Sequence, residues 1–408
     1  MQSKSLPDSM AGFVIVLFTA FLLSGCFDNE EVSIPPEADP QSQSSGASLG
    51  PGVRPLSSGI GEKGSPSWSP SGDKIAFTLD DYVVEKAPAA QDFERRTTKD
   101  FEARAVAWTP SGDSLAILGA DTQSAPNGPR FSPGLGLYRT VQGDGSLKVS
   151  RLASGVQAMV SGPPDSGWVL LAIQDGSSRS RLALVESGEE MRPYAAEVEG
   201  KVTGISASPN GEQAILAVRS AASDRFEIYT FSLSEDSFQR VARLEEGLEV
   251  FGDPQWTKQG IYYVAGEQQE VGEPDAAPFD LYRVPSGSST PELAPGVGDD
   301  FVASNLKRDP TGDRLAVIGR RNPGSSENLY TLDLDSENLE ALTSNEDMQI
   351  KTGAEDLTWS ADGSSVVIVA RAALSEPKVY SAPADTLVTD FYNLYEVPTS
   401  EIARGGPA

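Results

Sequence analysis

The residues able to do chemistry in this sequence are few in kind. The 408-residue chain has one cysteine, Cys26, and no histidine. Without histidine there is no Ser-His-Asp triad, no Cys-His pair and no imidazole-bound metal. Asp, Glu, Tyr, Lys and Arg are what remain for acid–base work. One cysteine cannot form a disulfide within the chain, so its thiol serves some other end. Carboxylates dominate, with 59 Asp+Glu against 32 Lys+Arg and a formal charge of -27. Such a chain repels nucleic acid and anionic lipid headgroups, which excludes DNA and RNA as partners. Asp333, Asp335 and Glu337 alternate, and Asp144 stands in a Gly-Asp-Gly turn. Oxygen ligands so spaced can hold Ca²⁺. Acidic surface loops recur throughout the chain, however, so the expectation is no metal and no cofactor.

The segment that positions Cys26 is apolar. Residues Met1 to Gly12 are polar, and Phe13 to Leu23 read FVIVLFTAFLL. A bilayer needs roughly 20 apolar residues, so this run is too short to span one. It has the length of a signal-peptide core. Leu23-Ser24-Gly25-Cys26 follows at once and resembles the bacterial lipobox. The small residues fit a peptidase cleft that a bulky side chain would block. The resemblance implies cleavage between Gly25 and Cys26 and acylation of Cys26, with palmitate among the acyl chains. Several chains on one residue give stable anchoring. Phe27, rather than an Asp, follows Cys26, which by the enteric sorting rule implies the outer membrane. Residues 1–25 are thus expected to be a lipoprotein signal peptide. Residues 26–52 are rich in Ser, Pro, Gly, Gln and Glu. They bury too little to order themselves and read as a disordered, flexible tether.

The rest of the chain repeats. Trp68-Ser69-Pro70-Ser71-Gly72-Asp73 precedes Lys74-Ile75-Ala76-Phe77, and Trp108-Thr109-Pro110-Ser111-Gly112-Asp113 precedes Ser114-Leu115-Ala116-Ile117. The pattern returns at Ser208–Gly211, Asp309–Asp313 and Trp359–Gly363, with degenerate copies at Trp256–Gly260 and Pro164–Gly167. Glycines 72, 112, 167, 211, 260, 312 and 363 stand 40 to 55 residues apart, a period that indicates propeller blades. Each unit combines tight-turn residues with short apolar strands, and a later strand bearing Leu-Tyr recurs at 137–138, 281–282, 329–330 and 394–395. Six outer strands serve seven units, and Val53–Ser57 before the first Trp supplies the seventh. Residues 53–408 are therefore expected to form an all-β, seven-bladed propeller closed by its N-terminal strand. The motif resembles the TolB-type, WD-like propeller repeat over residues 53 to about 400. The likeness is specific for the fold and weakly specific for activity. The chain lacks TolB's N-terminal α/β domain, so the Tol-Pal role does not transfer.

The repeated Trp68, Trp108, Trp256 and Trp359 read as packing between blades. Asp73, Asp113 and Asp313 read as acceptors for backbone N–H groups. Long connections between second and third strands, at 121–134, 266–280 and 371–390, fall on one face and mark it as the binding surface. Arg130, Phe131, Phe279 and Tyr380 are its candidate contacts. The leading expectation is a membrane-anchored, non-enzymatic scaffold of the bacterial cell envelope that binds a protein or peptide there. The alternatives are a carboxylate-based enzyme or glycan sensor at the central channel, and a subunit of an outer-membrane assembly or secretion machine.

Overall fold

The computed structural model describes residues 49–399, apart from residues 51, 58–60, 91, 98–100, 122–134, 144–145, 164–165, 175, 177, 187–190, 268–278, 299, 323, 346–347 and 373–390. Cys26, Gly25, Arg130, Phe131 and Tyr380 lie outside the described residues, as do the expected signal peptide, most of the tether and Asp144.

Among the described residues every regular element is a strand. The reason is visible in the second strand of each unit. Ile75–Leu79 and Trp168–Ile173 are buried throughout, as are Ala214–Val218, Leu315–Ile318 and Val366–Ala370. Both sides of these strands face apolar neighbours. Ala214, Leu216 and Val218 pack into one core layer, while Ile215 and Ala217 pack into the next. Leu315 and Val317 divide from Ala316 and Ile318 in the same way. A continuous apolar run is what a period-2 strand sandwiched between two sheets requires.

The sheets meet at their inner strands. These are Lys63–Trp68, Phe101–Trp108, Ser146–Ser161, Lys201–Ala207, Leu248–Thr257 and Val302–Arg308, then the pair Met348–Ile350 and Leu357–Trp359. They touch in that order, and the last touches the first, so the propeller is closed. Closure uses the N-terminal strand as expected. Arg54 and Pro55 pair with Glu396 and Tyr395, and Leu56 N–H donates to the Leu394 carbonyl at 2.8 Å. The buried Lys86 ammonium also donates to the Leu56 carbonyl at 2.7 Å.

The expected seven separate blades need correction. Counted as hydrogen-bonded sheets among the described residues, the propeller has six blades: one of seven strands, one of five and four of four. The cause is one 16-residue strand, Ser146–Ser161. Its first half pairs with Leu135–Gly143 as an outer strand, and its second half pairs with Trp168–Ile173 as an inner one. With no break between the halves, two repeat units fuse into one sheet.

Candidate functional site

The two faces of the propeller are built differently. The face of the first-to-second hairpins is locked by its own motif. Gly72 and Gly112 both have φ of 73°, a conformation that costs glycine little. Three of the turns pack on the one before: Gly112 lies against Pro70, Gly211 against Pro163 and Gly363 against Pro310. The Asp after the glycine meets its own backbone N–H, in line with the expectation, but chiefly accepts from hydroxyls. Asp73 accepts hydroxyl hydrogen bonds from Ser69 and Ser71, and Asp113 accepts them from Thr109, Ser111 and Ser114. These bonds hold both carboxyls below the usual range. Other backbone N–H groups of the turn are taken by its first residue. Ser69 Oγ accepts from Lys74 N–H, and Asp309 Oδ1 accepts from Gly312, Asp313 and Arg314 N–H. Asp313 pairs with Lys258 of the neighbouring hairpin. Asp333 caps its own turn through Ser336 N–H and Oγ, with Glu337 in a left-handed conformation two residues beyond Asp335. These are turn roles rather than an open ligand set.

On the opposite face every inner strand breaks register near the start of the axis. The break falls after Gly64, Ala103, Val202, Phe251 and Ala303, and at Gln157 in the long shared strand. In the last inner strand it widens to the segment between Ile350 and Leu357. These bulges re-aim side chains at a rim. The residues they present are Ser65, Arg104, Gln157, Thr203, Asp253, Ser304, Glu355 and Asp356, all polar.

Half of that polar set, with other side chains of the inner strands, stitches adjacent inner strands together. Ser65 N–H donates to Asp356 Oδ1 at 3.0 Å, and Val106 N–H donates to Ser65 Oγ at 3.0 Å. Ser161 Oγ donates to the Trp108 carbonyl, and Val202 N–H donates to Gln157 Oε1. Ile205 N–H donates to Asp253 Oδ1, and Arg308 N–H donates to Gln255 Oε1. Asn305 Nδ2 donates to the Gly353 carbonyl at 2.7 Å, and the Trp359 indole donates to the Lys307 carbonyl at 2.9 Å. Each junction between successive inner strands therefore carries at least one such bond, and buried backbone groups at the bulges keep partners.

One sector of the rim gathers charge. Lys307 Nζ lies 3.5 Å from Asp253 Oδ2. Glu355 reaches solvent, but only where crowding protein atoms displace much of its hydration. That desolvation, with the like charges of Asp253 and Asp356, pushes its carboxyl above the usual range, while Lys307 pulls it down. Asp356 is buried and is also pushed up by desolvation, against the pull of Lys351 and the Ser65 N–H. Lys351 Nζ donates to the Lys63 carbonyl and stands 5.1 Å from the Tyr392 ring centre, with the Arg371 guanidinium 4.7 Å from the same ring. The result is a charged mouth with one carboxylate, Glu355, incompletely neutralised. Among the described residues no group of three or more His, Cys, Asp or Glu could hold a metal.

Sequence reasoning missed this sector. The one expected contact that falls within the described residues, Phe279, is not an exposed anchor. Its ring lies tilted against Phe251, centre to centre 4.0 Å, and packs on the core layer of Tyr262, Leu281 and Phe301. A signal was present in the insertion Lys351–Asp356, which splits the strand leading to Trp359.

Similarity to known proteins is confined to structure. No protein-family model and no curated protein sequence matches the chain. Among solved structures, an oligogalacturonate lyase from Vibrio parahaemolyticus aligns with a TM-score of 0.57 and 11% identity, over 86% of this chain and 94% of that one. The β-propeller domain of the trilobed protease from Pyrococcus furiosus aligns at 0.54 and 12%, over 84% and 97%. A putative TolB from Agrobacterium tumefaciens is also matched, at 0.41 and 14% over 83% and 91%. The β-propeller read from the repeat is what the first two structures share with this chain.

Proposed function

We propose that the protein is a non-enzymatic binding scaffold of the bacterial cell envelope, held at a membrane through acylated Cys26. It grips a protein or peptide partner with the face that carries the long connections and the charged mouth. The observation that supports this reading is the asymmetry of the two faces. Hairpin-face carboxylates are consumed by hydroxyl and amide donors, whereas Glu355 at the mouth is exposed beside the like charges of Asp253 and Asp356. A partner presenting a basic or amide-rich segment suits that carboxylate. The repeat units, seven in sequence though six in sheets, supply the rigid ring.

The test is crosslinking and affinity capture from envelope extracts with the lipidated chain. Glu355→Gln and Asp253→Asn are expected to reduce capture of one dominant partner at least about tenfold, a scale set by loss of a charge-assisted bond. Asp73→Asn on the hairpin face is expected to leave capture unchanged. Equal capture by all three variants would refute the face assignment.

The enzyme reading has one observation in its favour, the raised Glu355 carboxyl beside Asp253, Asp356 and Lys307. The likeness to an oligogalacturonate lyase shows only a shared fold, and an acidic mouth repels a polyuronate chain. Incubation with neutral and uronic glycans, followed by reducing-end and double-bond assays, would reveal turnover that Glu355→Gln abolishes.

A further inference from the structure

We infer that Arg308 is a binding site for a carboxylate, at the hairpin end of the seam between the sheets of Leu248–Thr257 and Val302–Arg308. The site is separate from the mouth and does not depend on the partner proposed for it. Arg308 ends its inner strand opposite Leu315. Trp68, Trp108, Trp256 and Trp359 end theirs opposite Ile75, Leu115, Ile261 and Val366. The sixth unit thus places a guanidinium where four others place an indole. Alternation along the strand puts Arg308 on the same side as Leu306, which shares a core layer with Tyr262 and Leu281 of the preceding sheet.

The guanidinium lacks an acceptor. Arg308 Nη1 is buried with no hydrogen-bond partner among the described residues. The carboxylate next to it in sequence is committed elsewhere. Asp309 Oδ1 accepts from Gly312, Asp313 and Arg314 N–H, and Oδ2 accepts from the Thr311 hydroxyl and Arg314 Nε. Asp313 is paired with Lys258. Arg96, Arg240, Arg243, Arg283 and Arg314 each meet a carboxylate within 4 Å. With 59 acidic residues against 32 basic ones, composition does not force an arginine to go without. Burial pulls the Arg308 guanidinium below the ordinary arginine range, against the attraction of Asp309. A buried donor left unmade is costly, and an incoming acceptor removes that cost.

The fifth unit makes the room. Its loop is Lys258-Gln259 between the paired Thr257 and Gly260, and it has no proline. The sixth turn lies instead against the fourth: a methyl group at Gly312 would stand 3.8 Å from Pro209 Cγ and 3.6 Å from Arg308 Nη1. The turn covers that nitrogen, while Arg308 as a whole stays partly exposed. A guanidinium offers two parallel N–H groups that match the two oxygens of a carboxylate. The acidic chain opposes a phosphate dianion or a polyanion more than a single negative charge.

Calorimetric titration of the full chain in a non-ionic detergent, at fixed ionic strength, tests the site. N-acetylglycine stands for a peptide C-terminus and acetate for a bare carboxylate; N-acetylglycinamide and inorganic phosphate are the contrasts. Saturable binding of one or both carboxylates is expected, with a Kd of about 10 mM or tighter, and the stronger of the two identifies the source. The amide is expected not to bind, and phosphate to bind more weakly. Arg308→Gln is expected to weaken binding at least about tenfold. Arg308→Trp, which restores the residue of the other units, is expected to abolish binding and keep a cooperative thermal melt. The inference is overturned if the wild-type chain binds neither carboxylate, if the amide or phosphate binds as tightly, or if the folded Arg308→Trp chain binds as the wild type does.

Discussion

The hairpin face and the mouth face are made from the same repeat and treat their carboxylates in opposite ways. On the hairpin face Asp73, Asp113, Asp333 and Asp362 sit among hydroxyl and amide donors and are held below their usual range. At the mouth Glu355 and Asp356 sit among protein atoms and like charges and are pushed up. Asp280, at the start of a third strand on the same face, is pushed up by burial. Asp224 shows that the division follows local partners and not the face as such, since Arg219 beside it holds it low. The difference teaches where repetition serves the fold and where departure from it leaves room for a ligand.

The largest expected effect is on the hairpin face. Asp309→Ala strips three backbone N–H groups and Arg314 of their acceptor in a residue 1% exposed. It is expected to cost about 2–4 kcal/mol in urea unfolding and to leave partner capture intact. Loss of capture without loss of stability would break the comparison.

Asp356→Ala comes next. It orphans the buried Ser65 N–H at the junction that closes the ring, for about 1–3 kcal/mol. Asp356→Asn keeps the Oδ1 acceptor for the Ser65 N–H and is expected to recover most of that, because burial disfavours the charge that the amide removes.

The pH dependence follows from the two directions of shift. Carboxylates held low favour the folded state above their ordinary value near pH 4, and that contribution is lost as pH falls through their lower folded values. Carboxylates pushed up act oppositely: between their raised folded values and their ordinary ones the folded protein binds protons ahead of the unfolded chain. Stability is therefore expected to rise on acidification from neutrality toward about pH 4–5, then to fall below about pH 4. In thermal melts across pH, Glu355→Gln with Asp356→Asn should flatten only the rise, and Asp73→Asn with Asp113→Asn should soften only the fall.

The smallest stability effect belongs to Glu355→Gln alone. Removing an incompletely neutralised charge is expected to raise Tm at pH 7 by about 1–2 °C. The same change is expected to give the largest loss of partner capture, a division that only a binding residue would show.

The sequence alone determined the strand content, the turn chemistry and the closing strand. Those follow from local pattern: Pro and Gly at fixed offsets, apolar runs with no polar face, and Val53–Ser57 as the missing outer strand, observed as the pairing of Arg54 and Pro55. Trp108 and Trp359 are buried, as their repeated position implied. Three things were decided only in three dimensions. Two repeat units fused because Ser146–Ser161 stays one strand through Gly155, whose φ of 70° does not end it, and the sheet to which each half belongs is set by its neighbours. The turn Asp serves hydroxyls more than backbone N–H groups, because hydroxyls at two and four residues' distance reach its carboxylate first. The mouth assembled Asp253, Lys307, Glu355 and Asp356 from three sheets. A linear pattern cannot record which side chains converge on an axis, since that depends on bulges whose effect appears only when the ring closes.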